Sequence, residues 1–169
     1  MSTGIQRAID IDGTDLVSTA LLTLLNQFPG LEGREITFST LDESRGISMF
    51  PTAGAVIIEN TENVLGDVHQ VCAYPFDIVY RAALKTDRHK LRVKEFLDTI
   101  GKWLELQPVT ISGTVHHLTE YPSIGDNRKI NSIMRTTPSF LNAAAQDGVE
   151  DWVISCQLRY ESDFNKYSE

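Results

Sequence analysis

His116 and His117 stand side by side, and paired imidazoles can serve as a general base or as two ligands of one metal ion. In a strand, however, adjacent residues project to opposite faces, so the two rings cannot easily serve one site. Acyltransferases of the chloramphenicol-modifying type follow paired histidines with Asp-Gly after three residues. Here the pair is followed by Leu118, Thr119, Glu120, Tyr121 and Pro122, and the motif is incomplete. His69 and His89 have no carboxylate or cysteine at the spacing of a zinc site. Gly30-Leu31-Glu32-Gly33-Arg34 lacks both the Walker lysine and the Rossmann glycine triplet, and no serine or threonine lies in a nucleophile elbow. Cys72 and Cys156 lie far apart on strand-like apolar faces and read as small core hydrophobes. The expectation is a protein that is not an enzyme, with no catalytic residue, no cofactor and no metal ligand.

The elements that must position any site are marked by periodicity. Asp12-Gly13-Thr14 opens a helix whose stripe is Leu16, Val17, Ala20, Leu21, Leu24, Leu25 and Phe28, ended by Pro29-Gly30. A second helix begins near Asp87, carries Val93, Leu97, Ile100 and Leu104 with Phe96 and Trp103 beside them, and stops at Pro108. Its basic cluster, Lys85, Arg88, His89, Lys90, Arg92 and Lys94, is interleaved with Asp87, Glu95 and Asp98. That pattern reads as a solvated helix face, or else as a contact with an acidic neighbour.

Strand patterns fall at Arg34 to Thr40, at Ala53 to Glu59, and along Val64 to Leu84, where Tyr74-Pro75 predicts a break or an edge. Val109 to Thr119 reads as a short strand or an irregular segment. The last strand alternates Trp152, Ile154, Cys156, Leu158 and Tyr160 against Val153, Ser155, Gln157, Arg159 and Glu161. Two segments read as long connections, Leu41 to Thr52 and Tyr121 to Gln146. The order of elements predicts an α+β fold, a mostly antiparallel sheet with two main helices packed on one face, as a single domain over residues 1–169. The other sheet face must then be polar or be covered by another subunit.

Fifteen basic against twenty-three acidic residues give a formal charge of −8, which argues against a protein built to grip a phosphate backbone. The start of the chain lacks the basic and apolar regions of a signal peptide, and no run approaches about 18 consecutive apolar residues. A protein made in the cytoplasm with no membrane partner is expected.

Several short motifs occur in order: Tyr74-Pro75-Phe76-Asp77-Ile78-Val79-Tyr80-Arg81, then Phe96-Leu97-Asp98-Thr99-Ile100-Gly101-Lys102-Trp103-Leu104, then Lys129 to Pro138, then Asp147-Gly148-Val149-Glu150-Asp151-Trp152-Val153. Together, over Val64 to Tyr160, they resemble the minor capsid or tail terminator proteins of tailed bacteriophages that infect Gram-positive bacteria. That resemblance implies a structural virion protein, assembled in the host cytoplasm as a homohexameric ring at the head-proximal end of the tail. Such a ring stops tube polymerisation and joins the tail to the head. Its implied partners are further copies of itself, the tail tube protein, and a head connector or head completion protein. DNA would pass the lumen without specific binding, which the acidic balance favours. The alternatives are another neck or tail-completion protein, a small acyl-transfer or hydrolytic enzyme, or a free adaptor domain.

The two long connections hold apolar residues among turn formers, and such side chains stay exposed unless a partner or the chain's own core covers them. Met49, Phe50, Ile130, Ile133, Met134 and Phe140 are therefore the expected interface. Arg45, Arg128 and Arg135 are expected to pair with a neighbour's carboxylates.

Overall fold

The computed structural model describes residues 8–83, 86–125, 127–144 and 148–168. Leu84, Lys85, Gln146 and Asp147, which enter the patterns above, and the first residues of the chain lie outside them. No helix among the described residues is long and apolar enough to cross a membrane.

Helix α1 spans Ile11–Leu25. Its N-cap is Asp10, in extended conformation, whose carboxylate accepts from the Gly13 N–H at 3.0 Å, so the helix starts slightly before the Asp12-Gly13-Thr14 signal. Val17, Leu21, Leu24 and Leu25 are its buried stripe. Helix α2, Asp87–Leu104, is capped by Thr86 and buries Val93, Leu97, Ile100, Trp103 and Leu104. Phe28, from the turn after α1, stacks edge-on with both Phe96 and Trp103, at 5.6 and 5.4 Å, which locks the two helices together.

Both helices lie on one face of a mostly antiparallel sheet. Its centre is a pair of 17-residue strands, β4 (Asp67–Ala83) and β9 (Val149–Asn165), hydrogen-bonded from Asp67 opposite Asn165 to Ala83 opposite Val149. At about 3.3 Å per residue they run roughly 55 Å. Two short strands share the outer side of each: β2 (Gly46–Pro51) and β3 (Val56–Glu62) on β4, β7 (Arg128–Arg135) and β8 (Phe140–Ala144) on β9. β1 (Ile36–Phe38) joins β2 in parallel. β5 (Val109–Ile111) and β6 (Thr114–His116) form a separate hairpin, with Ser112 and Gly113 at φ of +50° and +81° in its tight turn.

The expected break at Tyr74-Pro75 does not occur: β4 passes straight through it. Pro75 sits where the outer neighbour changes from β3, which ends its pairing at Ala73, to β2, which begins at Phe76. The Pro75 carbonyl accepts from Thr52 N–H at 3.1 Å. In an antiparallel strand the nitrogen of the same residue faces the same side, so the missing donor falls at this seam and costs no bond to β9.

The two expected connections are corrected as well, for they contain β2, β7 and β8. In β7 the register slips between Ile130 and Ser132, a bulge that lets Ile130 and Ile133, three apart, bury on the same face. A strict period of two therefore misses the strand. In β2 the buried alternation is interrupted by Ser48, a fully buried hydroxyl that donates to the Thr37 carbonyl at 2.9 Å and accepts from Thr40 N–H at 3.1 Å.

On the helix side, Cys72, Tyr74, Phe76 and Ile78 of β4 and Ile154, Cys156, Leu158 and Tyr160 of β9 are buried in one cluster with the helix stripes. The final strand's core face is the one its alternation predicts, except that Trp152 is only half-buried at its rim, with its indole N–H donating to Glu150 at 3.0 Å.

Candidate assembly face

The apolar residues expected at an interface separate into two groups once strand register is known. Met49, Ile130 and Ile133 lie opposite Ile78, Tyr160 and Leu158, on the side that carries the helices, and all three are buried. They belong to this chain's own core, which corrects their placement at an interface. Phe50, Met134 and Phe140 lie opposite Asp77, Gln157 and Val153, on the face that no helix covers. Phe50 is half-buried, while Met134 and Phe140 are 57% and 37% exposed.

The register stacks these three residues into adjacent rows across the sheet. One row reads Ser48, Val79, Val153, Phe140; the next Phe50, Asp77, Ser155; the next Pro75, Gln157, Met134. Within the patch the Ser155 hydroxyl donates to Asp77 at 2.7 Å, so the one carboxylate among the apolar groups has a partner. Beyond it the same face turns charged, with Arg159 opposite Ala73, and Glu161 between Val71 and Lys129. The face away from the helices is therefore half apolar and half charged, and Ser48 and Val153 on it are buried.

The arginines are also redistributed. Arg128 is not held for a neighbour, because its guanidinium grips Asp10 through bonds of 3.1 and 3.0 Å, and the Tyr160 hydroxyl donates to the same carboxylate at 2.7 Å. Burial pushes the Asp10 carboxyl up, but the bonds from Arg128, Tyr160 and the Gly13 N–H outweigh it, and the group sits below its ordinary range. Arg135 grips Glu105 in the same two-pronged way, at 3.0 and 2.9 Å, and its own N–H adds a third bond at 2.9 Å. Glu105 too is held low, those bonds overcoming its burial. Both arginines fasten β7 to the layer of helices, which corrects their expected role. Arg45 is exposed in the turn before β2.

The histidine pair does not converge on a site. His116 ends β6, and the His117 Nε2 lies 2.8 Å from the Leu106 carbonyl, to which it can donate. Among the described residues no group of three or more His, Cys, Asp and Glu is placed to hold a metal ion. Burial pushes the Cys156 thiol up to about 12, and Cys72 is raised by the same cause. A cleft of about 650 Å³ opens between α2, the segment after α1, the end of β4 and the β5–β6 hairpin. Arg34 lines it, 4.9 Å from the Phe96 ring and 5.5 Å from that of Tyr80, with Nε donating to the Leu31 carbonyl at 2.8 Å.

Sequence reasoning missed that the bulge in β7 and the seam at Pro75 sort the candidate residues between the two faces; Lys129 to Arg135 carries the signal only if one extra residue is allowed in the alternation. No protein-family model matches the chain, and no curated protein matches it.

Proposed function

We propose that the chain is a tail terminator subunit of a tailed bacteriophage, which assembles into a ring, in the expected case a hexamer, at the head-proximal end of the tail. The observation that carries the reading is the sheet face away from the helices. Phe50, Val79, Pro75, Met134 and Phe140 are gathered there in adjacent rows on the side away from both helices, beside the buried Ser48 and Val153. An apolar patch that is partly exposed, as at Met134 and Phe140, and rimmed by charge is a mark of a protein contact. The ordered motifs from Val64 to Tyr160 and the two-helix, mostly antiparallel layout support the same reading. A formal charge of −8 per subunit, repeated around a ring, favours a lumen to which DNA does not adhere.

The ring would meet the tail tube protein on one side and a head connector or head completion protein on the other. Light scattering on the purified chain, alone and mixed with its tail tubes, tests the reading together with a Phe50→Ser, Met134→Ser, Phe140→Ser variant. The variant should keep its circular dichroism spectrum and lose ring formation or tube capping. Normal assembly by that variant would contradict the assignment of the face.

A further inference from the structure

The lateral edges of the sheet are treated unequally. On β1, both main-chain groups of Ile36 are taken by the Asn26 side chain, at 2.8 and 2.9 Å. On β7, the Ile133 N–H donates to the Tyr121 hydroxyl at 3.2 Å and the Arg135 N–H to Glu105 at 2.9 Å. The first half of β3 is covered by the segment before α1, with Ile57 N–H on the Ala8 carbonyl at 2.9 Å and Asp10 N–H on the Ala55 carbonyl at 2.8 Å. Blocking edges in this way prevents strand addition.

Among the described residues, two stretches carry no such cover. One is β8 and the other is the outer half of β3, Glu59 to Glu62. Because Pro75 fixes which β4 residues face β3, Glu59 and Thr61 bond to β4, and the main-chain groups of Asn60 and Glu62 point outward. By the same alternation Phe140 and Ala143 bond to β9, and Leu141 and Ala144 point outward. Leu141 is 43% exposed beside that open edge.

We propose that these two edges meet between copies: β8 of one subunit adds to the outer half of β3 of the next, continuing the sheet from subunit to subunit. The identity of the neighbour rests on the ring reading above. The two edges lie on opposite flanks of one sheet and at opposite ends of its long strands, the outer half of β3 level with Glu161 to Phe164 of β9 and β8 level with Glu150 to Val153, so the contact is heterologous and closes a ring when the rotation between copies closes. Strand sense agrees, since β3, β4, β9 and β8 alternate in direction. β8 thus runs opposite to β3, and continuation gives an antiparallel pair. Charge permits the pairing. Glu59 and Glu62 are the charges along the β3 edge, Glu62 is already paired with Lys166, and Phe140, Leu141 and Asn142 present no like charge to either.

Cysteine pairs test this, because Cys72 and Cys156 are buried and do not compete. Cysteine is placed at Asn60 or Thr61 and at Leu141 or Asn142, in four double variants and four singles, with mild oxidation at concentrations where light scattering reports the oligomer. At least one double variant should give a covalent ladder ending in the closed ring, with no cross-link from any single variant. Dimers from Leu141→Cys or Asn142→Cys alone would show β8 pairing with itself and overturn the proposal. A ring that persists in scattering without cross-links in any double variant would overturn it while leaving the ring reading intact. A chain monomeric at every concentration would overturn it too, and the tail phenotype then tests the ring reading separately.

Discussion

Arg128 and Asp10, 118 residues apart in sequence, meet in a two-pronged ion pair that joins β7 to the cap of α1. Tyr160 from β9 completes the set, so three elements remote in sequence share one carboxylate. Removing one partner of a largely buried pair leaves the other charge unpaired, which costs on the order of 3 kcal/mol. Arg128→Ala and Asp10→Ala should each lower the melting temperature by several degrees, and the double variant should cost less than the two singles added. Additive losses would show that the pair contributes no coupling.

The pH dependence follows from the same group. The folded Asp10 carboxyl lies below its ordinary value of 3.8, so its stabilisation is fully present above that value and is lost as pH falls through the lowered one. Glu105, held below 4.5, acts in the same direction. Thermal stability should therefore fall on acidification below about pH 4.5, less steeply in Asp10→Asn measured against its own neutral value. An identical acid slope in both proteins would remove Asp10 from this account.

Gly13 packs against the same cluster. A Cβ there would collide with the Asp10 carboxylate and the Tyr160 hydroxyl, although its backbone is ordinary helix. Gly13→Ala, which stabilises most helices by about 1 kcal/mol, should here destabilise by a similar or larger amount. A gain in melting temperature would mean that the cluster yields readily.

In the last strand, Trp152→Ala and Leu158→Ala separate rim from core. Leu158 is fully buried, and its truncation should cost about 2–5 kcal/mol. Trp152 is half-buried and should cost less than a buried aromatic of its size. A larger loss from Trp152 in chemical denaturation would move it into the core.

Where the sequence spoke clearly, it did so through uninterrupted periodicity. The stripes from Val17 to Leu25 and from Val93 to Leu104 mark both helices, and Ile154 to Tyr160 names the core face of β9. It failed where a long-range pairing overrides local pattern. The slip beside Asn131 hides β7, the buried Ser48 hides β2, and Pro75 reads as a break because the seam that tolerates it is made by residues far away in sequence. Half of the expected apolar interface was consequently core. Phe50, Met134 and Phe140 were found for their composition, but the face they share is visible only once the register is known.

The ring reading is tested most directly by electron microscopy of tails from a phage whose copy of this chain has been deleted. The account predicts tubes of uncontrolled length that do not join heads, restored to normal by the wild-type chain and not by the Phe50→Ser, Met134→Ser, Phe140→Ser variant. Tails of normal length, joined to heads in the absence of the chain, would contradict it.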